Sequence, residues 1–274
     1  MDLVDRATIN GVEVAWGAWG PSSKAPLVLC HGFSGSSHDF ALQIPSLAKN
    51  RRVIAFDHRG HGVSTKTHEL ASYSLDQLAS DLETLLTDAV REPVDLLGHS
   101  MGGRVVLDVA LARPDLVRSL ILMDTTAGSF EISDAKRRQA VATFLKNFNP
   151  ADGLPDMTMR GPEDPLIDAS TPLEWRERRA ELTAGLDPYA IKALGTELFT
   201  GAAGSVEARL VEIRVPTTVI VGSEDHPFVD HAPAMSSGIS DSTLVVIGGA
   251  YHSPQLTHAD EWRRAVLNHV VACD

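Results

Sequence analysis

The chain has 274 residues, of which 43% are apolar and 22% charged, enough to bury the core of one α/β domain with an insertion, or of two small domains. Its formal net charge of −12 repels phosphate backbones and anionic membrane surfaces, so neither nucleic acid nor a membrane is expected as a partner. Two cysteines, Cys30 and Cys273, give neither a disulfide framework nor a zinc spacing, and no leader or membrane-length apolar run occurs, so a soluble cytoplasmic monomer or homodimer is expected.

In chain order, Ala7-Thr8-Ile9 and Val12 to Trp16 flank Asn10-Gly11, a pair that tolerates the positive φ angles of a tight hairpin. Short apolar runs follow: Pro26 to Cys30, Arg52 to Phe56, Val94 to Leu97, Val117 to Met123, Pro216 to Val221 and Thr243 to Ile247. Each is bounded by Gly, Pro or Asp, as strands buried on both faces of a parallel sheet are. Between them, Leu75, Leu78, Leu82, Leu85 and Val90 recur at helical spacing, and Ser74 with Gln77 predicts a capping box. A second helix is predicted over Met101 to Ala112, and Trp262, Val266 and Val270 share one face of the last. Alternating strands and helices predict a mostly parallel, doubly wound sheet.

The alternation fails between about Thr126 and Glu212. This stretch holds Lys136-Arg137-Arg138, a Pro/Gly/Asp-rich piece from Asn149 to Pro165, and a helix-like piece from Trp175 to Leu182. It reads as a helical cap inserted at 126–212, with 1–125 and 213–274 forming the core domain.

Gly98-His99-Ser100-Met101-Gly102 fits G-x-S-x-G directly after a predicted strand and before a predicted helix. A serine on such a turn presents an exposed Oγ, with the partial positive charge of a helix N-terminus beside it. The Met101 N–H is one candidate oxyanion donor. The loop His31-Gly32-Phe33, after the first buried strand, offers Phe33 N–H as the second.

Among eleven histidines, His252 alone lies in a Gly-rich loop between the last strand and the last helix, the place for a general base. His226, His231 and His258 read as solvated loop residues, and His31 and His99 as structural. Asp225, after the strand ending at Val221, is the preferred acid to orient the imidazole, with Asp124 after the preceding strand as the alternative. Asp57-His58-Arg59-Gly60-His61-Gly62-Val63-Ser64 reads as a structural turn rather than a metal site. No dinucleotide or Walker fingerprint is present, so no cofactor is expected.

Taken together, His31-Gly32-Phe33, the 57–64 turn, Gly98 to Gly103, Gly222-Ser223-Glu224-Asp225 and His252 resemble the α/β-hydrolase superfamily in order and spacing. The likeness covers nearly the whole chain outside the insertion. It implies a triad of Ser100, Asp225 and His252, with an oxyanion hole at Phe33 and Met101. Within the superfamily the chain is similar to small capped enol-lactonases, carboxylesterases and meta-cleavage product hydrolases. Serine at position 100 sets it apart from the dehalogenases and epoxide hydrolases of this fold, which carry an aspartate. Tyr251 departs from the pattern, since a glycine often precedes the histidine.

The expected reaction is hydrolysis of a small or medium, mostly apolar ester or lactone, with Phe33, Met101 and Phe228 lining the pocket. A free-acid substrate would call on Arg137 or Arg138. The same triad serves two other readings, carbon–carbon cleavage of a diketone and a lyase step. A hydrolase-fold receptor is the non-enzymatic alternative.

Overall fold

The computed structural model describes residues 3–130, 132, 134–156 and 161–274. Its eight strands are β1 (Asp5–Ile9), β2 (Val12–Trp19), β3 (Leu27–Cys30), β4 (Val53–Phe56), β5 (Val94–His99), β6 (Val117–Met123), β7 (Thr217–Gly222) and β8 (Ser242–Ile247). They form one sheet in the order β1-β2-β4-β3-β5-β6-β7-β8. β2 pairs antiparallel with β1 and β4, and all other pairs are parallel. The hairpin turns at Asn10 (φ 46°) and Gly11 (φ 80°), with Ile9 opposite Val12. The fold class matches the expectation from sequence.

The helices are α1 (Ile44–Leu47), α2 (Leu75–Thr84), α3 (Met101–Ala112), α4 (Ala135–Asn147), α5 (Asp164–Ser170), α6 (Leu173–Ala184), α7 (Pro188–Phe199), α8 (Phe228–Gly238), α9 (Pro254–Thr257) and α10 (Ala259–Ala272). Side chains alternate across the sheet, because successive Cβ atoms in a strand point to opposite faces. Val28, Leu96, Leu120 and Leu122 join Leu78, Leu82, Val105 and Val106 of α2 and α3 in one core layer. Leu27, Leu29, Leu97 and Ile121 join Leu47, Trp262 and Val266 of α1 and α10 in the other. Burying each such Leu contributes about 1.5–3 kcal/mol.

At the start of α2, Ser74 Oγ accepts the Gln77 N–H at 3.1 Å. The Gln77 side chain does not return to Ser74; it donates to Asp81 at 3.0 Å. Half of the expected capping box therefore forms: the return bond would need Gln77 Oε1 to accept the Ser74 N–H, and the side chain is turned toward Asp81 instead. Asp81 also holds Arg59 through Nε at 2.5 Å and Nη2 at 2.7 Å.

Between β6 and β7 the described residues form helices α4 to α7 and short 3₁₀ turns, with no strand. Residues 157–160 of the Pro/Gly/Asp-rich piece lie outside the described residues. Among the described residues no helix is long and apolar enough to cross a membrane.

Candidate active site

The C-terminal ends of five parallel strands carry the candidate residues: Gly32 and Phe33 after β3, Ser100 after β5, Asp124 after β6, Asp225 after β7 and His252 after β8. In open α/β sheets this is the edge where ligands bind. Ser100 occupies the turn between β5 and α3 with φ 54° and ψ −120°, a backbone region that costs an L-residue roughly 1–3 kcal/mol. The turn is pinned on both sides. Ser100 N–H donates to Met123 O at 2.9 Å, and Thr125 Oγ1 donates to Ser100 O at 2.7 Å. The flanking glycines leave room for it: a Cβ on Gly98 would strike the Gly102 carbonyl, and one on Gly102 the carbonyls of Cys30 and His31. The Gly32 turn abuts the same place, since a Cβ there would lie 3.1 Å from Ser100 Cβ.

His252 Nδ1 lies 2.7 Å from Asp225 Oδ2. The Asp225 carboxylate is buried, while about 36% of the His252 side chain is exposed. Burial works against a charged ring, but the Asp225 charge, its hydrogen bond and the charge of Glu163 outweigh it, so the imidazole sits above its ordinary range. Ser100 and His252 line one cavity of about 200 Å3, together with Phe33, Glu163 and Arg179.

Asp124 does not take the Nδ1 position; its Oδ1 accepts the Gly222 N–H at 2.8 Å. Phe228 stacks on the His252 ring at 5.1 Å and lines an adjoining cavity of about 460 Å3. Phe33 lines the Ser100 cavity and also an apolar chamber of about 690 Å3 with Val141, Leu145, Ile191 and Phe199. The Met101 side chain departs from the expectation of a pocket wall. It is fully buried in the core layer of α2 and α3, because the first turn of α3 directs it inward and leaves only its backbone at the turn.

The other histidines separate by environment. His99 Nε2 lies 2.8 Å from the His252 carbonyl, which only accepts, so this nitrogen carries the proton. Burial holds His99 well below its ordinary range and hence neutral. His31 Nε2 accepts the His58 N–H at 3.0 Å. Asp57 is spent on the N–H groups of Ser37 and Val63, each at 2.8 Å, so it closes the 57–64 turn and ties it to the loop after β3. His226 is exposed beside Asp230 at 2.9 Å, and His258 precedes α10. His231 differs from the solvated reading: it is half-buried in α8, with Nδ1 3.1 Å from Thr126 Oγ1.

Arg137 lines the chamber and the cavity next to it, whereas Arg138 is exposed and donates to Ile132 O. Two residues escaped the sequence reading. Glu163 Oε1 accepts the Ser253 N–H at 2.6 Å, beside His252. Arg179 lies over the Trp175 ring at 5.6 Å. The insertion carries no motif, so no signal pointed to either.

The family model described as "alpha/beta hydrolase fold" matches residues 25–259. The chain is 27% identical over 257 residues to a Bacillus subtilis (strain 168) protein provisionally named 2-succinyl-6-hydroxy-2,4-cyclohexadiene-1-carboxylate synthase, covering 92% of this chain and 93% of that one. The enol-lactonase from Burkholderia xenovorans LB400 superposes with a TM-score of 0.77 at 20% identity, covering 97% of this chain and 100% of the other. An esterase from Thermogutta terrifontis gives 0.77 at 23% identity, covering 98% of each. With the family model spanning most of its length, this chain belongs to the α/β-hydrolase family.

Proposed function

We propose that the chain is a serine hydrolase that cleaves a carboxylic ester or lactone through an acyl-enzyme intermediate. The observation that carries this reading is the 2.7 Å bond between Asp225 and His252, with a serine on a strained strand-to-helix turn in the same cavity. Ser100 Oγ attacks the carbonyl carbon and gives its proton to His252. The backbone N–H groups of Phe33 and Met101 receive the charge that develops on the carbonyl oxygen. The tetrahedral intermediate collapses, His252 protonates the departing alkoxide, and an acyl ester on Ser100 remains. Water then loses a proton to His252 and attacks the acyl carbon, and His252 gives that proton to Ser100 Oγ as the acid departs. Asp225 holds the imidazole in the tautomer that this exchange requires.

Residues 126–212 act as the cap, over a core domain of 1–125 and 213–274. The apolar chamber beyond Phe33 takes the apolar part of the substrate, and Phe228 packs beside the base. Fluorophosphonate labelling followed by mass mapping tests the reading. The label is expected on Ser100, and Ser100→Ala is expected to lose labelling and turnover with an unchanged circular dichroism spectrum. Turnover that survives in Ser100→Ala rejects the mechanism.

A second reading keeps the residues and changes the chemistry: His252 takes a proton from carbon in a lyase step. The synthase name of the Bacillus subtilis relative favours it. Ester cleavage below detection, with elimination intact, would select this reading over the first.

A further inference from the structure

The mechanism above uses one of the two carboxyl groups at the ends of β6 and β7; the other, Asp124, is fully buried. Its backbone is in the left-handed region at φ 45°, held by its N–H on Ile220 O at 2.9 Å. Oδ1 accepts the Gly222 N–H at 2.8 Å. Oδ2 is buried and meets no donor. The strongest charge acting on the Asp124 carboxyl is that of Asp225, and the charge of Glu163 adds to it. Beyond Asp225 lies His252, whose Nδ1 is already spent on that carboxylate. An ionised Asp124 would thus face negative charge with no cation of its own, and its second oxygen would have nothing to accept. Both difficulties vanish if Oδ2 carries a proton, since a carboxylic acid donates where a carboxylate cannot. Burial first, and then the Asp225 charge, push the Asp124 carboxyl well above the usual range.

We propose that Asp124 is a positioning residue, a neutral acid that donates its Oδ2–H to Asp225 and so fixes the carboxylate that aligns His252. The kinetic consequence rests on the proposed hydrolase mechanism; the protonation state does not. This arrangement gives Asp225 one donor on each side, the imidazole and the acid, and leaves a single negative charge to serve the ring.

Infrared spectra of the whole chain, wild type minus Asp124→Asn, at pH 8 test the protonation. The carbonyl stretch of a buried carboxylic acid is expected in wild type and absent from the variant. Nitrophenyl ester kinetics test the role. Asp124→Leu, which can neither donate nor accept, is expected to lose about tenfold or more in kcat with little change in KM. Asp124→Asn, which keeps an N–H donor for Asp225 and an acceptor for Gly222, is expected to rescue most of that loss. It should also leave the acid limb of kcat/KM in place, because no charge has been removed. The absence of the acid band, or an acid limb moved to lower pH in Asp124→Asn, means an ionised Asp124 and overturns the proposal. So does an Asp124→Leu enzyme with wild-type kcat. If Asp124→Leu does not fold, the spectrum and pH profile of Asp124→Asn still decide. Fluorophosphonate labelling of Ser100 is scored separately, so a failed hydrolase reading is distinguishable from a failed assignment of the proton.

Discussion

Asp225 and Glu163 both raise the proton affinity of His252, and in the proposed mechanism only the neutral ring accepts the Ser100 proton. Activity should therefore fall on the acid side, beginning above the pH at which an ordinary imidazole charges. Glu163→Gln keeps an acceptor for the Ser253 N–H but removes a charge, so the acid limb of kcat/KM should move to lower pH by less than about one unit. A pH–rate profile checks the direction, and a limb that stays or rises contradicts it. Asp225→Asn removes the group that selects the tautomer, and kcat should drop on the order of 10⁴-fold, as measured by single-turnover ester cleavage. The sign for stability is opposite to that for activity. A raised imidazole value means that the pair stabilises the fold at low pH and loses this contribution as pH rises through the folded-state value.

The strand-to-helix turn at Ser100 depends on backbones that approach too closely for side chains. Gly102→Ala would press a methyl group into the Cys30 and His31 carbonyls, backbone atoms that cannot step aside as a flexible side chain can. A loss of about 1–3 kcal/mol in urea unfolding is expected, with a larger loss of activity because the same strain displaces Ser100. Gly11→Ala offers the contrast: nothing lies within 4 Å of a Cβ there, and only its positive φ resists the change. Strands were legible because β3 to β7 are almost wholly buried on both faces, so β3 and β4 are unbroken apolar runs and β6 and β7 keep apolar stretches at Leu120 to Met123 and Val219 to Val221. In 126–212 the helix-like piece at Trp175 to Leu182 falls within α6, but the bounds of the other helices were not legible; α4 buries only Leu145 and α6 only Trp175. One buried residue leaves α4 and α6 no 3.6-residue stripe, whereas α7 does carry one in Ala190, Ile191, Leu194 and Leu198.

Across the whole molecule, buried neutral histidines set an acid limit on the fold. Burial, with the charge of His31 against it, lowers His61 from 6.5 to about 3, and burial also holds His58 and His99 well below the ordinary range. Unfolded chains bind protons at these rings between the two values while the folded chain does not, so stability falls as pH drops from about 6.5 toward 3. His61 alone should cost about 2 kcal/mol between neutral pH and pH 5. Urea titrations at both values, compared with His61→Gln, measure this. An equal loss in the variant would remove His61 as the cause.

The sequence by itself determined the sheet, the hairpin and the turn at Ser100, since each rests on local chemistry: apolar runs, positive-φ pairs, glycines on either side of a serine. It narrowed the acid to Asp225 or Asp124, but which of them meets His252 is a distance between ends of different strands. Only the tertiary structure brought in Glu163, Arg179 and the His99 bond to the His252 carbonyl. Those contacts join segments far apart in the chain, and their geometry comes from packing, which leaves no periodicity or motif in the order of the residues.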